Sequence, residues 1–369
     1  MARVDPPFRA DHVGSLLRAT EVVDARAKAA AGAITAADLR AVEDAAIARN
    51  VAALERLGMH SITDGEQRRA WFHLDFLEQL EGVAVTGSIA SSSDSASTVH
   101  MTPPKLSEVG ALRHVRDIQV DDFCYLASIT TETPKVSIPS PTMVHFRGGR
   151  AAIDLQAYPD LDQFFDDLAA CYRAEIDALY GAGCRYLQLD DTNLAYLCDP
   201  AMRAGAVERG DDPDELPRAY AHLINQALAS RPADLTVGIH LCRGNYRSTW
   251  FASGGYEPVA EVLFNDLDVD AYFLEFDDER SGDFAPLRFV PEDKVVVLGL
   301  VTSKRPELEP YDELAARIEE ASAHVPIDRL CLSPQCGFAS TMEGNALTED
   351  QQWAKLAHVV DVAARVWSP

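Results

Sequence analysis

Short apolar runs are separated along the chain by long segments with helical periodicity. The runs are rich in β-branched and aromatic residues, as in buried strands. Eight such runs occur, at 8–13, 60–63, 135–138, 186–189, 236–241, 271–274, 295–300 and 329–332. Strands that alternate with helices indicate βα units around a parallel sheet. Eight of them predict a closed TIM (βα)8 barrel of the α/β class.

Alanine-rich helical stretches lie between these runs, among them 35–58, 161–183, 309–325 and 348–367. The first two end at glycine, a common stop signal for helices. The last stretch would close the eighth βα unit, so no segment is left over for a second domain. The sequence therefore predicts a single barrel domain over residues 1–369.

One segment, about 82–131, departs from this rhythm because it is too long for an ordinary βα connection. Its centre, "SIASSSDSAS", has low complexity and is unlike a packed core. We predict an extended insertion between the second and third strands. A lid over the barrel mouth and a surface hairpin with its loop both stay open, and the second is the simpler interpretation.

Composition restricts the partners and the compartment. The formal net charge is −25, which would repel a phosphate backbone, so no nucleic-acid partner is expected. Neither an apolar run long enough to span a membrane nor a signal sequence is visible, which favours a cytoplasmic protein with no membrane partner. The seven cysteines are odd in number and scattered, which favours free thiols or metal ligands over disulfides.

Chemically able residues gather where the predicted strands end, which is where barrel enzymes place their active sites. In chain order these are Gly14, Ser15, Asp64, Gly65, Glu66, Ser140, Asp190, Asp191, His240, Cys242, Glu275, Lys304 and Cys336. Four of them, His240, Cys242, Glu275 and Cys336, come from three strand ends and offer a ligand set that suits zinc.

An ordinary structural role is also open for each of these four residues. A lone buried cysteine or histidine usually belongs to the core, and Glu275 could lie at the surface beyond its strand. A carboxylate that follows the apolar run "AYFL" needs a partner if it is buried. Cys171 and Cys331 fall within a helix and within a strand, so we expect both in the core.

Six ordered motifs resemble those of cobalamin-independent methionine synthases. They are "HVGSLLR", "TDGEQRRAWF", "LQLDDTNLAYL", "GIHLCRGN", "FLEFDDE" and "LSPQCGF", and the likeness covers about residues 8 to 345. Six motifs in order at matching strand ends are far more specific than a single short pattern.

The resemblance implies a barrel that binds Zn²⁺ and transfers a methyl group to the thiol of homocysteine. His240, Cys242, Glu275 and Cys336 would hold zinc. Glu66 and Asp190 would bind the amino group of the substrate, and Gly14 with Ser15 its carboxylate. Glu66 and Asp190 could instead be solvated carboxylates or partners of Arg68, Arg69 or Arg243.

Three departures leave the methyl donor open. The chain resembles only the C-terminal, catalytic half of the full-length synthases, whose other half helps to bind folate. A tryptophan that stacks on the pterin after the third strand is replaced here by Ser140 and Pro141. A histidine that transfers protons after the seventh strand is replaced by Lys304, which could bind an anion or shuttle a proton. The donor could be 5-methyltetrahydrofolate, a methylated corrinoid protein or a small methylated thioether or sulfonium compound.

Other functions stay open. Shorter relatives with the same zinc motifs include epoxyalkane:coenzyme M transferase, whose acceptor carries a sulfonate and no amino group, so that Glu66 and Asp190 argue against it. A barrel that binds zinc or thiols for regulation would not need these two carboxylates. A uroporphyrinogen decarboxylase-like barrel shares the fold but needs no cysteine-rich zinc site. The oligomeric state is not predicted.

Overall fold

The computed structural model describes residues 3–88 and 104–368, and these form an α/β protein with a parallel sheet. The strands are β1 (Ser61–Ile62), β2 (Glu81–Ser88), β3 (Pro104–Arg113), β4 (Thr133–Pro134), β5 (Val136–Pro139), β6 (Tyr186–Asp191), β7 (Thr236–Leu241), β8 (Ala271–Glu275), β9 (Val295–Val301) and β10 (Leu330–Pro334).

The α-helices are α1 (Thr20–Ala30), α2 (Ala36–Leu57), α3 (Leu74–Leu77), α4 (Val120–Ser128), α5 (Leu161–Gly181), α6 (Asn193–Tyr196), α7 (Pro200–Glu208), α8 (Leu216–Leu228), α9 (Ala260–Asn265), α10 (Tyr311–Ser322) and α11 (Glu349–Val366). Short 3-10 turns cover Pro141–Val144, Gly149–Ala152, Glu279–Ser281, Ala285–Phe289 and Ile327–Arg329.

The sheet follows the order of the sequence. Strands β5 to β10 pair as parallel neighbours, and β1 pairs in parallel with β4, which is separated from β5 by Lys135 alone. At the other edge, Ala10 forms a parallel bridge with Leu332 of β10. The first segment of the chain thus lies beside the last strand, as the predicted strand order requires.

Seven of the eight predicted strands are present, with bounds that differ by one or two residues at most ends. The strand predicted at 8–13 is wrong, because this segment makes only the single bridge at Ala10. Its polar side chains replace the backbone ladder. Asp11 accepts hydrogen bonds from Ser61 Oγ at 2.9 Å and from Tyr186 OH at 2.8 Å.

Lys135 and Asp11 form an ion pair at 3.1 Å, and both side chains are 0% exposed. The Lys135 ammonium also donates to His12 O at 2.6 Å and lies 4.1 Å from the centre of the Phe273 ring. A buried charge is tolerated only with such partners. This ion pair therefore joins the segment 8–13 to Lys135, which lies between β4 and β5.

The helices begin and end where local signals place them. Thr35 and Asp38 form a capping box at the start of α2, and Gly58 ends that helix with φ 83°. Thr348 and Gln351 form a second capping box before α11. In the described part of the chain, no helix is long and apolar enough to cross a membrane.

The insertion contains an antiparallel hairpin of β2 and β3, followed by α4. Its low-complexity centre lies outside the described residues except at Ser88. Strand β3 of the hairpin packs against α5 and the segment before it. In that segment, Asp154 N donates to Glu108 at 2.8 Å, and Tyr158 OH accepts from Leu112 N at 2.8 Å. For the described part, these contacts favour the hairpin interpretation over a lid.

We expect Asp11→Ala to lower the free energy of unfolding by about 3 to 5 kcal/mol, because it leaves the Lys135 ammonium buried without its counter-charge. Urea denaturation followed by circular dichroism measures the change. Asp234→Ala is the control, since it breaks an ion pair with Arg185 whose side chains are 61% and 43% exposed. That change should leave the free energy of unfolding almost unaltered, because exposed ion pairs contribute little. Equal effects of the two substitutions would contradict a structural role for the buried pair.

Candidate active site

Four side chains with metal-ligating atoms meet beyond the carboxyl ends of β7, β8 and β10. They are His240, Cys242, Glu275 and Cys336, all buried, and their ligand atoms lie within 4.8 Å of one another. Alternate residues of a strand point to one side. His240 and Cys242 therefore face the same way, and Glu275 continues the row of Ala271 and Phe273, whose side chains are buried together.

The group has the chemistry and the space to bind zinc. The sulfur atoms of Cys242 and Cys336 lie 3.4 Å apart, and two thiolates on one tetrahedral zinc ion would be ~3.8 Å apart. Neither ring nitrogen of His240 has a hydrogen-bond partner although both are buried. A buried imidazole without partners is costly. A soft, borderline cation such as Zn²⁺ would satisfy all four side chains at once.

Cations surround this anionic group. Arg280 donates to Glu275 Oε2 at 3.3 Å, and Lys304 has a buried ammonium with no hydrogen-bond partner among the described residues. Burial raises the pKa of Glu275, and the charges of Lys304 and Arg280 oppose that rise. The hydrogen bond from Cys242 lowers the pKa of the Cys336 thiol well below its usual range. The same contact raises the pKa of the Cys242 thiol, so the environment favours a thiolate on Cys336 rather than on both cysteines.

An open cavity borders three of the four possible ligands, His240, Cys242 and Cys336; its empty space is about 610 Å³ when the solvent at its mouth is included. Its lining also includes Ser15, Glu66, Trp71, Phe72, His73, Arg147, Asp190, Tyr196, Tyr246 and Phe251. Glu275 and Lys304 do not belong to this lining in the described part of the chain. The cavity therefore gives a ligand access to His240, Cys242 and Cys336.

Glu66 and Asp190 place two carboxylates in this cavity. Glu66 Oε1 accepts a hydrogen bond from Ser137 Oγ at 3.1 Å, whereas its buried Oε2 has no partner. Asp190 accepts from Gln188 Nε2 at 2.7 Å. Burial raises the pKa of Glu66 to about 7; Arg69 opposes the rise and Asp190 adds to it. The site can therefore receive a cationic group between two carboxylates.

The alternative partners proposed for these carboxylates are mostly engaged elsewhere. Arg69 lies 3.8 Å from Glu66 and donates to Gln119 at 3.0 Å. Arg68 forms ion pairs with Asp44 and Asp122, and Arg243 donates to the Glu275 carbonyl. Of the three arginines, only Arg69 pairs with either carboxylate, and it leaves Glu66 Oε2 open.

Ser15 lies at the cavity wall beside the segment that carries Cys336. Its Oγ accepts from Ala339 N at 3.3 Å, and its carbonyl accepts from Phe338 N at 2.9 Å. A Cβ atom on Gly337 would lie 1.9 Å from Ser15 Oγ, so only glycine fits there. Gly14 has φ 136°, a conformation that glycine tolerates, and it lies behind Ser15 rather than in the cavity lining.

Comparison with known proteins identifies the family of this chain. A family model described as the catalytic domain of cobalamin-independent synthases matches residues 8–365. The chain belongs to this family. The Bacillus subtilis protein YxjH, described as uncharacterized, is 49% identical over 98% of this chain and 95% of its own. The methionine synthase of Pyrococcus abyssi is 27% identical over 81% of this chain and 76% of its own.

A solved structure from Listeria monocytogenes, of a candidate vitamin-B12 independent methionine synthase, is 40% identical. It covers 98% of this chain and 99% of its own, with a TM-score of 0.78. From the family and this structural match we infer that the parallel strands form a TIM barrel. In a member of this synthase family, the buried His240, Cys242, Glu275 and Cys336 are consistent with the family's zinc site.

Several cavity residues were not singled out by the sequence. Trp71 and Tyr246 stack with ring centres 6.5 Å apart and planes at 10°, so aromatic surface is present although the third-strand tryptophan is absent. Trp71 is the next-to-last residue of the quoted "TDGEQRRAWF" motif, which is a usable signal. His73 and Arg147 lie in loops, and no spacing rule connects them with the strand ends.

A second possible ligand group is made of His114, Asp117 and Glu175. The Glu175 carboxylate already accepts hydrogen bonds from His114 Nε2, Ile118 N and Gln119 N at 2.7 to 2.8 Å. These contacts fix the turn before α4 and give the carboxylate a structural role. Cys171 and Cys331 are buried as predicted, and all seven cysteines are free.

We expect Cys242→Ser and Cys336→Ser to lose most of the bound zinc, because a hydroxyl is a far weaker zinc ligand than a thiolate. Atomic emission spectroscopy measures the zinc content of protein purified in the presence of zinc. The wild type should contain about one zinc ion per chain. Cys124→Ser is the matched control, since this thiol is exposed. Unchanged metal content in both buried variants would rule out the site.

Proposed function

We propose that this protein is a zinc-dependent methyltransferase that methylates the thiol of homocysteine to form methionine. The observation that carries the proposal is the presence, in one cavity, of a sulfur-rich metal-binding group and two carboxylates that are open to an ammonium group. Homocysteine has a thiol at one end and an ammonium with a carboxylate at the other. Both ends of this substrate therefore find chemically matched partners.

The acceptor would be held as follows. Glu66 and Asp190 bind the amino group, and Ser15 binds the carboxylate; the contact predicted for Gly14 stays a prediction, because Gly14 is not part of the cavity lining. The unpaired Oε2 of Glu66 supplies a hydrogen-bond acceptor that no described residue uses. Burial raises the pKa of Glu66 and the charge of Asp190 adds to the rise, so an ammonium bound between the two carboxylates would oppose it. The thiol would then extend toward Cys336 and His240.

His240, Cys242, Glu275 and Cys336 would hold the zinc ion, which when bound lowers the pKa of a substrate thiol and keeps the thiolate available at neutral pH. Two thiolates and one carboxylate carry about three negative charges against the two of the ion, so sulfur stays electron-rich. Lys304 and Arg280 offset the remaining charge from behind. A role of Lys304 as a proton shuttle stays a prediction.

In the transfer, the substrate thiol gives up its proton, its sulfur forms a bond to the methyl carbon, and the bond between that carbon and the donor breaks with its electron pair leaving on the donor. The aromatic surface of Trp71 and Tyr246 offers a wall against which a flat or cationic methyl carrier can lie. A folate, a corrinoid protein and a small sulfonium compound all stay open as donors.

The deciding experiment incubates zinc-loaded protein with homocysteine and each of the three donor classes, and detects methionine by mass spectrometry. Methionine from any donor supports the proposal. Calorimetry is run in parallel with homocysteine and with coenzyme M. Binding of coenzyme M with no binding of homocysteine would favour the epoxyalkane transferase, and homocysteine binding without turnover by any donor would favour a regulatory protein.

We expect Glu66→Gln to weaken homocysteine binding on the order of ten- to a hundredfold, the effect of removing a charged partner of a buried hydrogen bond. The same variant should bind 4-mercaptobutanoate, which lacks the amino group, as the wild type does. Glu132→Gln is the control, because this glutamate is on the surface with His60. A loss of affinity for both thiols alike would place Glu66 outside the amino-group site.

Methionine binding should strengthen as pH rises through about 7, because the burial-raised pKa of Glu66 lies there and only its ionised form binds an ammonium well. Methionine is chosen because it has no thiol to titrate. Calorimetry from roughly pH 6 to pH 8 measures the change. In Glu66→Gln the dependence should become shallower, and stronger binding on acidification would contradict this role of the carboxylate.

A further inference from the structure

His73 is a buried histidine that no described residue satisfies. Its side chain lines the cavity and only 1% of the residue is exposed, yet neither ring nitrogen has a hydrogen-bond partner. The ring is held instead by aromatic neighbours, with its centre 4.6 Å from that of Phe72. Burial, and next the charge of Arg147, lower its pKa well below the usual value. A neutral imidazole therefore offers one N–H group to the cavity.

Arg147 brings an unbalanced positive charge to the same wall. Its guanidinium has a buried nitrogen, Nη1, without a hydrogen-bond partner, and no ion pair of Arg147 is found within residues 3–88 and 104–368. It lies in the loop between the turns Pro141–Val144 and Gly149–Ala152, after β5. Its charge also reaches Tyr196, another cavity residue, where it opposes the burial that raises the tyrosine pKa to about 12.

We propose that Arg147 and His73 form a second anion subsite of this cavity, which binds a carboxylate group of the methyl donor. The fork of a guanidinium matches the two oxygens of a carboxylate, and an imidazole N–H can donate to one of them. The cavity has charged side chains of both signs. Glu66 and Asp190 suit a cation, whereas Arg147 suits an anion. The assignment of this carboxylate to the methyl donor rests on the function proposed above, in which Ser15 already binds the carboxylate of homocysteine.

Two donor classes carry the required carboxylate. One is a small methylated sulfur or nitrogen compound with a carboxylate at its other end, and the second is a folate with its glutamate tail. The aromatic pair Trp71 and Tyr246 lines the same cavity and can contact the methyl-bearing part of either molecule. The shared chemistry is the carboxylate, and the two sources are separated by experiment.

The test uses zinc-loaded protein saturated with homoserine, which has the amino and carboxylate groups of homocysteine but no thiol to methylate, and calorimetry with two pairs of probes. The first pair of probes is 3-(methylthio)propanoate and its uncharged carboxamide. The second pair is 5-methyltetrahydrofolate with one and with three glutamates. Wild type is compared with Arg147→Gln, Arg147→Lys and His73→Asn. Arg218→Gln is the matched control, because this arginine is largely exposed on α8.

We expect the wild type to bind the acid better than the amide, or the triglutamate better than the monoglutamate. Arg147→Gln should reduce that preference on the order of tenfold or more. Arg147→Lys should restore part of the preference, and Arg218→Gln should leave it unchanged. If the acid is preferred over its amide, the donor is of the small class. If the triglutamate is preferred instead, the subsite receives the folate tail. Unchanged unfolding midpoints show that the variants fold.

Two results would overturn the proposal. One is the absence of any charge preference in both probe pairs. The other is that Arg147→Gln weakens homocysteine but not 3-aminopropane-1-thiol, which lacks the carboxylate, since Arg147 would then serve the acceptor. Failure of methyl transfer is a separate outcome. The charge preference is measured without turnover because homoserine has no thiol, and the measurement can be repeated without homoserine if it does not bind.

Discussion

The carboxylate of Asp11 fixes the segment 8–13 at the edge of the sheet, where no regular strand forms. It is fully buried and accepts from Ser61, Tyr186 and Lys135, which lie in or beside β1, β6 and β5. A charge in this position is stable only because these donors are fixed by their strands. The cavity depends on the same contacts, because Ser15 follows four residues after Asp11. Gln188 then links the two regions by donating both to Val13 O and to Asp190, at 2.7 Å each.

Several buried polar groups without hydrogen-bond partners lie at the cavity or next to the possible zinc ligands, and others, such as Tyr172 OH and two nitrogens of Arg209, lie elsewhere in the described residues. Glu66 Oε2, both nitrogens of His73, both nitrogens of His240 and the Lys304 ammonium all lack hydrogen-bond partners. Each such group costs about 1 to 3 kcal/mol when left unpaired. A fold that keeps several of them at one place is arranged for partners that arrive from outside. The sulfur-rich group fits a metal, and the others fit the charged ends of organic ligands.

The sequence predicts the elements that carry strong local signals. The apolar run 236–241 is strand β7 to the residue, and the helical stretches predicted at 35–58 and 348–367 contain α2 and α11. The run 8–13 resembles a strand in composition, but its polar side chains pair with residues distant in sequence, which no periodicity reveals. The possible zinc ligands were found because strand ends of a barrel meet. His73 and Arg147 were missed because loops bring them to the cavity. The single-domain organisation stays a prediction.

The distribution of charge in the cavity limits which small molecules fit it. An anion subsite alone would also suit the sulfonate of coenzyme M, so Arg147 by itself does not separate that acceptor from homocysteine. Glu66 does, because coenzyme M has no cationic group and would leave the buried Oε2 unpaired. The net charge of −25 does not alter this conclusion, since a carboxylate inside the cavity meets Arg147 at short range while distant surface charges are screened. Carboxylates and a guanidinium in one cavity therefore favour a ligand, or a pair of ligands, that carries charge of both signs.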